Sequence, residues 1–241
     1  MIGALGSVGT SSNDDESGGM KRSNGGSNSP GESGRRSPTT RFDHVAIAQV
    51  IPAGAKVLDL GCGEGDLLHL LAENKGVEGY GVDVFASHVK TCIAKGLLAY
   101  QGDLDEGLEG YAPGAVDVVV LNDTLRFVKK PAKLIRSMVK IGRVALVGIR
   151  NAAHWRRRLS ALLGGTLNSR DPISSDSLPE RPFTIKTFLR FCHLNGIHVV
   201  SARYFAGGRP RGGFMANLLA DYALFTIASR EKGQRKKNCD T

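Results

Sequence analysis

From residue 42 onward, apolar positions fall into two alternating rhythms. Short apolar runs with the length of buried strands occur at 56–60, 80–84, 99–102, 116–121 and 143–149. Helix-compatible stretches separate them at 64–73, 86–95, 131–140 and 154–163. Ahead of these, Phe42, Val45, Ala46, Ala48 and Val50 trace one face of a short helix that Pro52 and Gly54 stop. Strands alternating with helices predict an α/β domain, a mostly parallel sheet covered by helices on both faces and joined by right-handed crossovers. Further on, 164–183 is polar and proline-dotted, the composition of a loop or lid. A helix is expected over 184–195, a strand over 197–204, and the apolar segment 218–228 reads as a closing strand.

The ends of the chain have a different texture. Residues 1–40 hold nine glycines, nine serines and no aromatic residue. Such a segment buries too little apolar surface to offset its ordering entropy, so a disordered tail is expected there. The domain is expected over 41–229, with a short basic tail at 230–241.

Composition narrows the class. At 41% hydrophobic and 23% charged residues the chain resembles ordinary globular proteins, and no stretch approaches 18 unbroken apolar residues. The first ten residues lack both the charged start and the apolar core of a secretory signal. Cys62, Cys92, Cys192 and Cys239 lie far apart with no C-x-x-C pair, which argues against a disulfide framework or zinc ribbon and for a reducing cytoplasm.

The chemistry concentrates after the first predicted strand, in Val57-Leu-Asp59-Leu-Gly61-Cys62-Gly63-Glu64-Gly65-Asp66. A glycine loop between strand and helix is where open α/β sheets bind ligands, with free N–H groups facing the ligand. The spacing is G-x-G-x-G; Asp66 stands where a dinucleotide loop needs its third glycine. Asp59, Glu64 and Asp66 would repel a pyrophosphate and attract a cation, such as a ligand carrying an ammonium and a sulfonium. S-adenosylmethionine is therefore the expected cofactor. Asp83 closes the second strand 22 residues after Gly61, the distance at which an acid grips ribose hydroxyls, and Asp103 closes the third, where it can accept from an adenine amino group. The expected cofactor site comprises Asp59, Gly61, Cys62, Gly63, Gly65, Asp83, Val84, Asp103, Leu104 and Asn122. Taken singly, Asp83 and Asp103 serve equally well as turn or cap residues.

Methyl transfer from a sulfonium depends on positioning and, for most acceptors, a nearby base. After the fourth strand the chain reads Leu121-Asn122-Asp123-Thr124-Leu125, which is not the Asn-Pro-Pro-aromatic signature for planar amines. Asp123 and His154 are the candidate bases; helix capping and packing beside Trp155 are the competing readings. Carboxylate neighbours are expected to raise the Cys62 pKa.

The glycine loop, Tyr80-Gly-Val-Asp83, Gln101-Gly-Asp103-Leu104-Asp105-Glu-Gly-Leu108 and Asp123-Thr-Leu resemble class I S-adenosylmethionine-dependent methyltransferases. Asn151-Ala-Ala-His154-Trp155-Arg-Arg-Arg-Leu159 and Asn217-Leu-Leu-Ala-Asp221-Tyr-Ala-Leu224 narrow the likeness to the MetW family of methionine-biosynthesis proteins. That resemblance implies a Rossmann-like fold with an antiparallel C-terminal strand. It also implies a cofactor-binding protein that acts with homoserine O-acyltransferase. Residues 174–183 depart from the family's usual Trp-, Tyr- and Asp-rich stretch, and 207–213 is an unusual Gly- and Arg-rich turn. An active methyltransferase on a small molecule or protein is the alternative, and an RNA methyltransferase ranks below it.

The net charge of +9 hides a segregation. Residues 57–123 hold twelve acids and three lysines; residues 124–170 hold twelve lysines and arginines and no acid. The acidic half suits a cationic cofactor. The basic half suits solvated helix faces, an acidic partner or an anionic small molecule.

Overall fold

The computed structural model describes residues 41–164 and 180–229. The expected tails at 1–40 and 230–241, and most of the proline-dotted loop, lie outside the described residues.

Chain order is α1 (Phe42–Ala48), β1 (Lys56–Leu60), α2 (Asp66–Lys75), β2 (Glu78–Asp83), α3 (Ala86–Ala94), β3 (Leu98–Gln101) and β4 (Val116–Asn122). After a 3-10 turn at Leu125–Phe127 come α4 (Pro131–Ile141), β5 (Gly142–Arg150), α5 (Trp155–Gly164), α6 (Ile185–Leu194), β6 (Ile197–Ala206), β7 (Arg209–Arg211), α7 (Ala216–Leu219) and β8 (Tyr222–Ser229). One eight-stranded sheet has the order β3-β2-β1-β4-β5-β8-β6-β7. Strands β1 to β5 pair in parallel, whereas β8 runs antiparallel to both β5 and β6. Strand order reverses between β1 and β4, so the crevice at their C-terminal ends is the topological switch point, where such sheets take ligands.

Period-2 alternation splits the apolar runs between two cores. Leu58, Leu60, Val119 and Leu121 face a layer built on α4 and α6 with Ile135, Met138, Phe188 and Phe225. Their neighbours Val57, Val118 and Val120 face the opposite layer with Ile47, Leu67, Leu68 and Leu71 from α1 and α2. Helix α4 opens with Pro131 at its first position and buries Leu134, Ile135, Met138 and Val139, one face at 3.6-residue spacing. Helix α6 starts with a reciprocal cap, Thr184 accepting from the Thr187 amide while the Thr187 hydroxyl accepts from the Thr184 amide.

The closing apolar segment differs from expectation. It divides into α7 and β8, because the Asp221 carboxylate accepts from the Gly207 amide and the Asp221 amide donates to the Phe205 carbonyl, which fixes a bend there. The arginine-rich turn at 207–213 pairs Arg209–Arg211 with the end of β6 as a hairpin.

Candidate functional site

The glycine loop leaves β1 at the switch point, and its backbone explains its composition. Gly61 has φ +73° and its amide donates to the Val82 carbonyl, tying the loop to β2. A Cβ there would run into the Thr124 side chain. Gly65, at φ +80°, starts α2, and a Cβ would come within 2.9 Å of the Cys92 sulfur. The loop is therefore wedged between the end of β4 and α3.

Asp59 and Asp83 flank it. Asp83 is buried; one carboxylate oxygen accepts from the Gly63 amide at 2.8 Å, and the other from the Phe85 amide at 3.0 Å, 3.1 Å from His88 Nδ1. It holds the loop's shape as well as facing the crevice. Asp59 is only 3% exposed, and among the described residues nothing donates a hydrogen bond to its carboxylate. Burial, reinforced by the negative charge of Asp83, pushes its pKa up to about 7. This orphaned acid fits a cationic ligand.

The other loop acids behave differently. Lys95 Nζ donates to the Asp66 carboxylate at 2.7 Å and to the Glu64 carbonyl at 2.8 Å, so Asp66 is already neutralised while Glu64 is exposed. Cys62 is buried, and burial together with the Asp59 charge raises its pKa, as its neighbours predict. Its sulfur lies 4.0 Å from that of Cys92, a proximity invisible at 30 residues' separation.

Asp103 sits exposed just beyond β3, its carboxylate turning back to the Asp105 amide at 2.8 Å. Val84 is exposed beside Asp83, and Leu104 is half-buried after Asp103. Asn122 has both ends of its amide engaged: Nδ2 donates to Asp43 at 2.9 Å, and Oδ1 accepts from the Tyr222 hydroxyl at 2.8 Å. It joins α1 and β8 to the sheet. Asp43 is buried; burial pushes its pKa up, but hydrogen bonds from Arg41 and Asn122 outweigh that and hold it below the ordinary range.

Next to Asn122, Asp123 is a non-glycine residue at φ +59°. Its Oδ2 accepts from Arg150 Nε at 2.6 Å and from Arg126 at 3.1 Å. Both guanidiniums reach the same oxygen, and Oδ1 is buried without a partner among the described residues. His154 leads into α5 with its carbonyl accepting from the Arg157 and Arg158 amides and its ring against Trp155. Burial lowers its pKa, opposed by Asp221 and helped by Arg156 and Arg157. The two candidate bases line separate clefts.

Sequence reasoning singled out the loop and the strand-end acids but not Asp43, Tyr222, Lys95 and Arg150, which bond to these candidates or to their neighbours. Each acts through a partner distant along the chain, and no local spacing signals that.

The family described as "Methionine biosynthesis protein MetW" matches residues 41–227. The chain belongs to the MetW family. A bifunctional methionine biosynthesis protein MetXA/MetW of Rhodopirellula baltica is 32% identical over 128 residues, 50% of this chain and 20% of that protein. A ubiquinone biosynthesis O-methyltransferase of Psychrobacter arcticus is 31% identical over 106 residues, 41% of each chain. The chain thus spans less than half the length of these curated relatives.

Among solved structures, a Mesorhizobium loti S-adenosylmethionine-dependent methyltransferase matches with TM-score 0.57 at 16% identity, over 78% of this chain and 98% of that one. The putative methyltransferase complexed with the Haloferax volcanii Trm112 activator matches equally, over 78% and 89%. The [4+2]-cyclase SpnF also matches, at TM-score 0.55 and 16% identity over 78% and 80%. At such identities the likeness establishes the fold: Rossmann-like, of the class I methyltransferase type. A cyclase among the neighbours is a reminder that this scaffold does not dictate one reaction.

Proposed function

We propose that this MetW-family chain binds S-adenosylmethionine in the β1–β3 crevice and acts with homoserine O-acyltransferase in methionine biosynthesis. The observation that carries the cofactor reading is the Asp59 carboxylate, buried and without a hydrogen-bond donor among the described residues. A buried acid of this kind gains most from a cation at its surface. When bound, the cofactor supplies an electrophilic methyl on a cationic sulfonium. In this reading Asp59 meets the ligand's positive charge, and Gly61, Cys62, Gly63 and Gly65 present close backbone. Asp83 keeps lone-pair capacity for ribose hydroxyls beside its two amide donors. Val84 and Leu104 offer apolar surface to the adenine, and Asp103 an acceptor for its amino group. Asn122 supports that wall from behind through Asp43 and Tyr222.

The partnership is supported by the relative that carries MetXA and MetW in one chain. It is also supported by α5, which buries no residue and leaves Trp155, Leu159, Leu162 and Leu163 exposed beside Arg156–Arg158. Affinity purification of the tagged full chain, with and without S-adenosylmethionine, tests both parts. Recovery of the acyltransferase, together with cofactor binding by calorimetry, is the expected result. No acyltransferase in the eluate, and a deletion strain that still grows without methionine, would sink the partnership. An active methyltransferase is the second reading, favoured by the fold's methyltransferase neighbours. Radiolabel transfer from the cofactor into a metabolite or protein fraction would establish it.

A further inference from the structure

On the far side of Asp123, β4 and β5 end in a cleft with four arginines: Arg126, Arg150, Arg157 and Arg181. Two carboxylates oppose them, Asp123 and Glu180. Arg126 is shared between these acids, at 3.1 and 3.3 Å. Arg150 gives Asp123 only its Nε, so the two terminal nitrogens that make a guanidinium fork keep their donor capacity among the described residues. Arg181 donates to the Lys129 carbonyl, and Arg157 is exposed with no side-chain partner among the described residues. Among the described residues, four fixed positive charges against two negative ones leave a surplus in a concave site.

Arg150 and Arg157 are also walls of a second, adjoining cavity of about 520 Å³. Arg211 and His154 add donors there, Trp155 and Tyr222 supply aromatic surface, and Asp221 is the one acid of its lining among the described residues. The volume is that of a small-molecule site, and its chemistry is basic at one wall and aromatic at another. Elsewhere in the basic half, Lys133 pairs with Glu109 at 3.0 Å and Arg143 with Asp117 at 3.3 Å. Arg150, Arg156, Arg157 and Arg211 all line this cavity.

We propose that Arg150 and Arg157 bind the oxyanion headgroup, phosphate or carboxylate, of a small molecule whose body occupies the 520 Å³ cavity. Guanidinium forks match the planar two-oxygen edge of either group, which a point charge does not. The site is separate from the glycine loop, and its test needs no S-adenosylmethionine.

Thermal shift and calorimetry on the full chain, with pyrophosphate and citrate as probes and sodium chloride at matched ionic strength as control, decide it. A Tm rise with either probe beyond that of chloride is expected, and the stronger probe tells phosphate from carboxylate. Arg157→Gln, at an exposed position, should keep the unliganded Tm and weaken the probe at least tenfold, whereas Arg157→Lys should weaken it less. Arg211→Gln gives a second, independent reading. Equal effects of chloride and probe, or unchanged affinity in both glutamine variants, would overturn the proposal. So would binding of RNA or heparin without binding of either small probe, which would make the patch a polyanion surface.

Discussion

A carboxylate inside a parallel strand, with a second acid at the end of the neighbouring strand, carries a desolvation cost that hydrogen bonds normally offset. Asp59 has no such offset, and the sign of its pH dependence follows. Its folded pKa, about 7, lies above the unfolded value of 3.8, so between those values the native state binds the extra proton. Stability of the unliganded protein should therefore fall as pH rises from 5 to 8, and Asp59→Asn should flatten that slope in denaturant titrations. A cation at the same carboxylate favours its ionised form. S-adenosylmethionine affinity should thus strengthen about tenfold from pH 6 to pH 8, with proton release seen by calorimetry in buffers of different ionisation enthalpy. Affinity in Asp59→Asn that still follows pH would assign the effect to another group. Asn151 makes the opposite case. It is buried, and its amide donates to the Ala220 and Asn217 carbonyls at 2.7 and 3.0 Å while its oxygen accepts from the Ala153 amide at 3.1 Å. Asn151→Ala is expected to cost about 2–4 kcal/mol by urea unfolding, since several buried backbone groups lose their partner together. Its neighbourhood was visible in the sequence as a family motif; its function as a tie between β5 and α7 was not.

At the level of elements, the alternation of strands and helices was legible because buried parallel strands are short, apolar and β-branched, as in Val116–Asn122. The split of the last apolar run was not, because hydropathy is blind to the Asp221–Gly207 bond that bends it. The glycine loop was recognisable from spacing alone. The contacts that demand glycine at 61 and 65 come from Thr124 and Cys92, and only the fold reveals them. Gly65→Ala should lower stability by about 1–3 kcal/mol and abolish cofactor binding, because φ +80° and the Cys92 contact both resist a methyl group. Helix α5 shows a periodicity that misleads. Trp155, Leu159 and Leu162 share one face, as in a core helix, yet Leu162 is 81% exposed. Leu162→Glu should leave the Tm of the isolated chain within about a degree and reduce acyltransferase capture in pull-downs. Undiminished capture would move the interface elsewhere on the molecule.

Across the whole molecule, the charge segregation along the chain becomes a spatial one only in part. Ion pairs engage Lys133 and Arg143 with acids of the other half, and Lys95 returns positive charge to the acidic loop. Two features stand apart, a buried acidic pair under the glycine loop and a cluster of arginines beyond β4 and β5. Fields of this kind act on association rates more than on affinity. Association with an acidic partner measured by stopped flow should slow at least tenfold between about 50 and 500 mM salt, with a smaller change in dissociation.

Asp123 and Thr124 are consecutive, one gripped by two arginines and the other pressed on Gly61. These two residues therefore form a partition shared by the arginine cleft and the glycine loop, and its backbone at Asp123 is already in a sparsely populated conformation. Displacing a guanidinium on one side and shifting the loop on the other both act on that partition. Thermodynamic reciprocity then applies: any factor by which an occupant of the arginine chamber alters affinity in the loop chamber must equal the factor in the reverse order.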